Sequence, residues 1–552
     1  MKQENIPEHF LNFREKGPGD LEIKQKYGRI DEVKVGGHMK KLIKLLKKLL
    51  QSRLLVFGLI LAVELFWFLI FVTRLVNYST AISIAFTGLS LLVVLWIINR
   101  DDNPAYKMAW IILIMAVPLL GGLFYLAVGH KQPSRKMRRK MEAERLRTEN
   151  ELLQDPEVLK EAGASDRRIE GQMRYISETG GYPVYRNTSA RYYQIGEELY
   201  QDLLEELKKA EHFIFMEFFI VGEGKMWGSI RQILEEKAKA GVDVRFMYDD
   251  LGSVSLLPGG YDRHLEAVGI KSIAFNPFVP FWSLVMNNRD HRKIAVIDGH
   301  TAFSGGVNLA DEYINEKMRF GHWKDTGFML KGEGVWNYTV MFLRMWNSFR
   351  HTDSSYDPYR PKVWHPGPFE GEGFVQPYGD SPLDDEILAE NVYLDILNQA
   401  RDYVYIFTPY LIVDHEMQSA LCLAAKRGVD VRIVTPGIPD KKMVFQLTRS
   451  YYPILLKAGV RIFEYTPGFL HAKSYVCDDE IAVVGTINMD YRSLYLHFEC
   501  GTYFYRSPIV ADVKADSLKT MEKSREITLQ DTRQGFFGGL FAAVLRVFSP
   551  LL

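Results

Sequence analysis

Two stretches of the chain carry the same reactive side chains at the same spacing. In the first, His291, Lys293, Asp298, Gly305, Gly306 and Asn308 give H-x-K-x4-D-x6-G-G-x-N; in the second, His471, Lys473, Asp478, Gly485 and Asn488 give H-x-K-x4-D-x6-G-x-x-N, 180 residues further on. One H-x-K-x4-D arises by chance in roughly a few per cent of chains this long. A second copy with its glycine and asparagine in register removes that explanation. On a strand, residues i and i+2 share a face about 7 Å apart, so each copy presents an imidazole beside an ammonium. Two such pairs brought together surround an anion with two titratable rings and two cations, which suits phosphoryl transfer. One imidazole can attack phosphorus while the other, protonated, donates to the leaving oxygen and later takes the acceptor's proton. Lys293, Lys473, Asn308 and Asn488 then offer donors to the non-bridging oxygens. A working imidazole also needs an acceptor on its second ring nitrogen. Asp325 in HWKDT, 34 residues after His291, and Glu499 in HFECG, 28 after His471, are the candidates. No metal and no other cofactor is called for.

Asp298 and Asp478 have two readings of equal weight. They complete the catalytic motif, or they build a turn, since Asp298-Gly299 between apolar strands is a hairpin signal. Gly305 and Gly485 read as structural support, and Cys477 as a small strand residue facing the core.

The elements that must position these groups repeat as well. AGVDVRFMYDD from Ala240 matches RGVDVRIVTPG from Arg427, and VGIKSIAF from Val268 matches AGVRIFEY from Ala458. Each pairs a helix end, a glycine cap and a buried strand. The expected fold is therefore α/β, two similar lobes related by a pseudo-twofold with a composite cleft between them. The divide is expected in the Pro- and Gly-rich run 357–373, giving lobe 1 over 181–362 and lobe 2 over 363–530.

Composition narrows the class. Lys plus Arg and Asp plus Glu both total 68 in 552 residues, so no basic excess argues for nucleic acid. Three cysteines are too few for a disulfide framework or a Cys-rich zinc site. Neither a G-x-S-x-G elbow nor a G-x4-G-K-[ST] loop occurs, so serine hydrolysis and NTP-driven chemistry are not supported.

The long apolar runs fall in the first quarter of the chain. Residues 54–72, 81–98 and 108–128 are each long enough to cross a bilayer that needs about 20 helical residues, and the first carries Glu64 in its middle. They define a transmembrane module over 54–130 of two to three helices. A basic region, 1–53, precedes it, with an amphipathic helix expected over 39–50. Lys and Arg flank the module on both sides, and the positive-inside rule wants both flanks cytoplasmic, so against three full crossings either one run is interfacial or re-entrant or the rule is broken at one end. The denser cluster follows residue 128 and puts the lobes on the cytoplasmic side of the cell membrane. Residues 131–180 read as a charged juxtamembrane linker, and 531–552 as a C-terminal amphipathic, interfacial segment. The apolar segment 275–286 has two readings of equal weight, admitting acyl chains beside His291 or packing in the core.

The chain resembles the phospholipase D superfamily, defined by paired HKD motifs, over roughly residues 182–526. More narrowly it is similar to bacterial cardiolipin synthases, on the hydrophobic N-terminal module, the GGVN and GTIN motif tails, the MDYRSLYLHFE run from Met489 and the RVFSPLL end. The resemblance implies transfer of a phosphatidyl group from one phosphatidylglycerol to another through a phosphatidyl-histidine, releasing glycerol, with no nucleotide or metal. The expected partners are phosphatidylglycerol and anionic membrane lipid, with no nucleic acid and self-association left open. Alternatives are a hydrolytic phospholipase D, a CDP-diacylglycerol-dependent phosphatidyltransferase, a nuclease, and a silent membrane scaffold. The last two sit poorly with zero net charge and with two intact motifs.

Overall fold

The computed structural model describes residues 80–552, apart from 118–120, 123–124, 126–128, 130–134, 165, 278–287, 384–385, 534 and 552, and isolated positions between 62 and 74. The basic stretch 39–50, most of the run 54–72 with Glu64, and most of the segment 275–286 lie outside the described residues.

Short β-branched and aromatic runs form two mixed sheets. The first holds β1 (Thr188–Tyr193), β2 (Phe213–Phe218), β3 (Asp243–Asp249), β4 (Lys271–Phe275), β5 (Lys293–Ile297), β6 (Thr301–Gly305) and β8 (Gly327–Gly332), with β7 (His322–Lys324) apart. The second holds β9 (Phe374–Asp380), β10 (Tyr403–Phe407), β12 (Asp430–Pro436), β13 (Arg461–Tyr465), β15 (Ser474–Cys477), β16 (Ile481–Gly485), β18 (Glu499–Tyr505) and β19 (Ser524–Ile527). Outside it, β11 (Leu411–Ile412) pairs with β17 (Met489–Asp490), and β14 (Gly468–Leu470) with β7. The orders are β4-β3-β2-β5-β6-β8-β1 and β19-β13-β12-β10-β15-β16-β18-β9. Apart from the added β19 they correspond strand for strand. In each, three parallel strands joined by helices lead into an antiparallel half that carries the motif. The two α/β lobes expected from the repeat are present, and β8 and β9 lie on either side of the run 357–373.

One helix fuses the lobes. Val335–Phe349 is buried on nearly every side, as a helix apolar all round must be. It joins Phe215 and Ile294 of lobe 1 to Val476 and Phe504 of lobe 2 in a single apolar cluster. The Phe328 and Phe504 rings meet edge to face at 5.4 Å, and Tyr338 hydrogen-bonds Thr502 at 2.8 Å.

The stretch read as a charged linker is core over much of its length. Helices Pro156–Gly163 and Arg167–Arg174 bury Val158, Leu159, Ala162, Ile169 and Met173 in the lobe 2 cluster with Leu388 and Val392. Their charged residues occupy the opposite, solvated face, so charge density alone misleads where an i, i+4 apolar stripe persists.

Among the described residues no helix is long and apolar enough to cross a membrane. The run 81–98 forms one helix, α1 (Thr80–Ile98). The run 108–128 is not a single helix. Helix α2 (Pro104–Ala116) ends at Val117, whose φ of −139° and ψ of 80° leave the helical region, as expected for the residue before a proline. Beyond the break the chain doubles back. A Cβ on Gly121 would lie 2.6 Å from Ile114 Cα, the Tyr125 ring meets Trp110 at 5.1 Å, and Tyr106 Oη donates to the Gly129 carbonyl at 3.0 Å. Residues 114 and 121, 110 and 125, and 106 and 129 thus face each other. The start of α2 is bolted to lobe 2, because Asn103 Nδ2 donates to Asp414 at 3.1 Å and to Tyr495 Oη at 3.0 Å.

Candidate active site

Each motif histidine lies just before its central strand, where the chain leaves its own sheet to pair with the other lobe. In lobe 1, Asp290 bridges in parallel to Phe498, and His291 N donates to the Phe498 carbonyl at 2.9 Å. In lobe 2, β14 runs parallel to β7, and His471 N donates to the Lys324 carbonyl at 2.7 Å. These two short inter-lobe ladders deliver the histidines to each other's carboxylates. Nδ1 of His291 lies 2.9 Å from Glu499, and Nδ1 of His471 lies 2.7 Å from Asp325. Spacing along the chain associates Asp325 with His291 and Glu499 with His471; the fold exchanges them. Each carboxylate directly follows the residue whose carbonyl accepts the other lobe's histidine N–H, Lys324 before Asp325 and Phe498 before Glu499, so the exchange is built into the backbone pairing.

The carboxylates take Nδ1, which leaves Nε2 of each ring as the nitrogen available for chemistry. Both rings line one cavity of about 640 Å³, together with Asn308, Asn488, Arg289 and His497. Burial, reinforced by Lys293, His497 and Lys473, depresses His291 well below the usual histidine range. Burial and Lys473 lower His471 to about 4, against the pull of Asp325. Burial also lowers Lys293 to about 8 and Lys473 to about 7. The two carboxylates differ. Burial works to raise Asp325, but His471 and Lys473 outweigh it and hold the group below the ordinary range. Burial pushes Glu499 well above that range, against Lys293 and a 2.5 Å bond from the Thr486 hydroxyl. An arriving phosphodiester anion favours every protonated group here, so an empty site with neutral rings becomes one poised to hold a proton.

The lysines stay beside their histidines as the i, i+2 spacing predicts. Lys293 Nζ donates to the His291 carbonyl at 2.6 Å; Lys473 Nζ bonds the His471 carbonyl and lies 2.8 Å from its Nδ1. Asn308 and Asn488 both reach the cavity. Asn308 Oδ1 accepts from Ile220 N at 2.9 Å and its Nδ2 donates to Tyr313 Oη at 2.9 Å, while Asn488 Nδ2 donates to Ser493 at 3.1 Å. Each amide is thereby fixed, with one N–H left over.

Asp298 and Asp478 do not join this cluster, and the reading of them as catalytic groups is corrected. Each lies at the far end of its strand, roughly 16 Å from the lysine at about 3.3 Å per residue. Asp298 accepts three backbone N–H bonds, from Glu211, His212 and Phe213 at 2.8, 2.9 and 2.8 Å; Asp478 does the same with Arg401, Asp402 and Tyr403 at 2.8, 2.9 and 2.9 Å. Both sit in tight turns with φ near +50°, at +47° and +50°, where aspartate is tolerated because its short side chain bonds locally. The carboxylate ties the motif hairpin to the start of the neighbouring strand.

Gly306 has a firm reason to be glycine: a Cβ there would lie 1.9 Å from Asp325 Oδ1. Several cavity residues escape the motif reading. Tyr313 meets the His471 ring edge at 5.5 Å, and Phe219 meets the His291 ring at 4.8 Å. Arg289 lies 3.3 Å from Asp249, whose carboxyl burial raises to about 7 despite that guanidinium. His497 stacks obliquely 5.6 Å from His291. The available signal was position, since Arg289 and His497 stand two residues before His291 and Glu499. His291, His497 and Glu499 present ligand atoms within 4.8 Å of one another, but Lys293 and Arg289 beside them favour an anion over a metal cation.

Comparison with known proteins agrees with this architecture. Residues 393–519 match the family model described as "Cardiolipin synthase, PLD-like domain", and residues 88–130 the model "Phospholipase_D-nuclease N-terminal". The chain is 46% identical over 460 residues to an uncharacterized protein of Streptococcus mutans, covering 83% of this chain and 99% of that one. It is 34% identical over 478 residues to a cardiolipin synthase of Alkalihalophilus pseudofirmus, covering 85% and 94%, and 34% identical over 484 residues to one from Geobacillus, covering 84% and 94%. Among solved structures, a phosphatidylserine synthase from Haemophilus influenzae aligns with a TM-score of 0.53 at 13% identity, over 69% of this chain and 98% of that one. That likeness concerns the fold.

Proposed function

Because this chain belongs to the cardiolipin synthases of the phospholipase D superfamily, we propose that its cavity passes a phosphatidyl group between two phosphatidylglycerol molecules through a histidine of one lobe. The enzyme is a phosphatidyltransferase that forms cardiolipin and releases glycerol.

In the proposed mechanism Nε2 of His291 attacks the phosphorus of the first phosphatidylglycerol. The bond from phosphorus to the head-group oxygen breaks, and His471, protonated, gives its proton to that oxygen so that neutral glycerol leaves. The head-group hydroxyl of the second phosphatidylglycerol then loses its proton to His471 and attacks the same phosphorus. The phosphorus–nitrogen bond breaks, cardiolipin forms and both imidazoles return to their starting states. The roles divide this way because Asp325 is held in its ionised form beside His471, where it stabilises an imidazolium. His291 faces a carboxyl driven towards neutrality and is the better neutral nucleophile. Lys293, Lys473 and the free N–H groups of Asn308 and Asn488 bind the non-bridging oxygens. The lobes work at the cytoplasmic face of the membrane, a reading supported by the basic cluster after residue 130.

The observation that carries this reading is the exchange of carboxylates, which holds two imidazoles in one cavity, each on a carboxylate of the other lobe. The purified full chain in phosphatidylglycerol vesicles should yield cardiolipin and glycerol, resolved by mass spectrometry. Phosphatidic acid with glycerol as the main products would refute transfer in favour of hydrolysis. His291→Ala and His471→Ala should each abolish turnover, and full activity in either would refute the shared site.

A further inference from the structure

The cavity is built from repeated positions, yet its two ends carry opposite chemistry. Two residues before each motif histidine stand Arg289 and Phe469, and two residues before each carboxylate stand His497 and Trp323. Glu312 and Arg492 are equivalent as well, each four residues after its motif asparagine. The asparagine bonds fix this register, since Asn308 donates to Tyr313 at 2.9 Å and Asn488 to Ser493 at 3.1 Å, each five residues later. All of these unlike residues line the one cavity.

The exchange between lobes sorts them. The Trp323 and Phe469 rings lie 5.5 and 5.8 Å from the His471 ring and 4.9 Å from each other. Glu312 precedes Tyr313 on the same wall and engages Arg319 at 3.3 Å. At the other end His497 stacks 5.6 Å from His291. Burial, with Arg492, Lys293, Arg289 and Lys441 around it, holds the His497 imidazole well below the usual histidine range. The carboxyls facing this end move towards neutrality, because burial raises Asp249 to about 7 and Glu499 well above the ordinary carboxylate range. One end of the cavity is aromatic with an acid on its wall, and the other is cationic.

Transfer between two lipids brings two phosphates into one cavity. The reacting one meets Lys293, Lys473 and the two asparagines. The other belongs to the accepting lipid, joined to its attacking hydroxyl by one glycerol bridge, and keeps its charge because no bond to it forms or breaks. Buried cations need such a counter-charge, and the planar fork of arginine matches two phosphate oxygens at once. We infer that Arg289, His497 and Arg492 bind the phosphodiester of the accepting lipid while the end at Trp323 and Phe469 takes uncharged glycerol, so that the broken pseudo-symmetry selects an anionic acceptor over a neutral alcohol. The acceptor's glycerol bridge then crosses the cavity, with its hydroxyl at His471 and its phosphate at Arg492. Glu312 adds discrimination by repelling a phosphate from the wrong end. The inference rests on the transfer reading and assigns the second lipid its place within it.

The test gives the full chain, in phosphatidylglycerol vesicles, two soluble acceptors in one mixture at equal concentration: isotope-labelled glycerol and glycerophosphoglycerol, the deacylated acceptor. The hydroxyl of either one loses its proton to His471 and attacks the phosphorus of the phosphatidyl-histidine, and the phosphorus–nitrogen bond breaks. The products are labelled phosphatidylglycerol and phosphatidyl-glycerophosphoglycerol, and mass spectrometry reads their ratio. The wild-type chain should favour the second product by at least about tenfold, the scale of one charge-assisted contact. Arg492→Gln and His497→Gln should each lower the ratio at least about fivefold, and Arg492→Lys should recover part of it. Arg319→Gln removes a cation from the opposite end and should leave the ratio within about twofold. Because both products come from one reaction, slower turnover or a smaller folded fraction does not move the ratio. Equal use of the two acceptors by the wild-type chain, an unchanged ratio in both Arg492→Gln and His497→Gln, or an equal fall in Arg319→Gln overturns the subsite. In those cases labelled phosphatidylglycerol still forms and the transfer reading stands, whereas phosphatidic acid as the sole product refutes transfer and the subsite with it.

Discussion

Replacing Asp325 by Asn tests whether the carboxylate of one lobe governs the histidine of the other. The substitution keeps the size of the side chain and an oxygen to accept the Nδ1 proton, and removes the charge 2.7 Å from His471. At about 4 Å between charge centres and an effective dielectric near 20, a carboxylate stabilises an imidazolium by about 4 kcal/mol. At about 1.4 kcal/mol per factor of ten, losing most of that lowers kcat by about 10²- to 10³-fold. Substrate binding through the lysines and asparagines is untouched, so KM should move little. The pH dependence carries a sign as well. Without its anion, His471 gives up its proton at lower pH, so the alkaline limb of the kcat profile of Asp325→Asn should shift downwards. Initial rates of cardiolipin formation across pH, with circular dichroism to establish the fold, make the measurement. Gly306→Ala should reproduce the defect in part, since its Cβ would displace Asp325. A kcat within about tenfold of wild type, or an alkaline limb that moves upwards, would refute the assignment of His471 as the proton donor and of Asp325 as its partner.

Two further outcomes follow from the same geometry. Asp478→Asn should lower stability by about 2–4 kcal/mol, because three backbone donors lose a charged acceptor, while the folded enzyme keeps kcat within about fivefold. A thousandfold loss of kcat at unchanged melting temperature would restore the aspartate to the chemistry. Lys473→Met should abolish turnover yet raise the melting temperature. Lys473 binds its proton near 10.4 in the unfolded chain but at about 7 in the fold, so wild-type stability rises with pH between those values. The advantage of Lys473→Met should therefore shrink from about pH 7 towards about pH 10 in thermal unfolding, and a gap that widens would contradict the buried, depressed lysine.

Much of the site was legible before any fold was known. Two copies of a rare pattern in register identified His291, Lys293, His471 and Lys473, and the tails identified Asn308 and Asn488, because local spacing on a strand decides which side chains share a face. Asp325 and Glu499 were recognised as carboxylates near the motifs, but their partners were assigned by nearness in sequence, and the inter-lobe ladders of His291 with Phe498 and His471 with Lys324 reverse that assignment. Charge density concealed the apolar stripe of Val158, Leu159, Ala162, Ile169 and Met173. An uninterrupted apolar run concealed the break at Val117, although Pro118 was its signal.

The amino-acid sequence alone determined that one α/β unit occurs twice, that each copy carries an imidazole beside an ammonium, and that the long apolar runs precede them. These properties depend on residues a few positions apart. Tertiary structure decided which carboxylate orients which ring and that Asp298 and Asp478 fasten turns. Those outcomes depend on contacts between residues from about 80 to about 210 positions apart, and hydrophobic patterning specifies which face is buried without naming the distant surface that buries it.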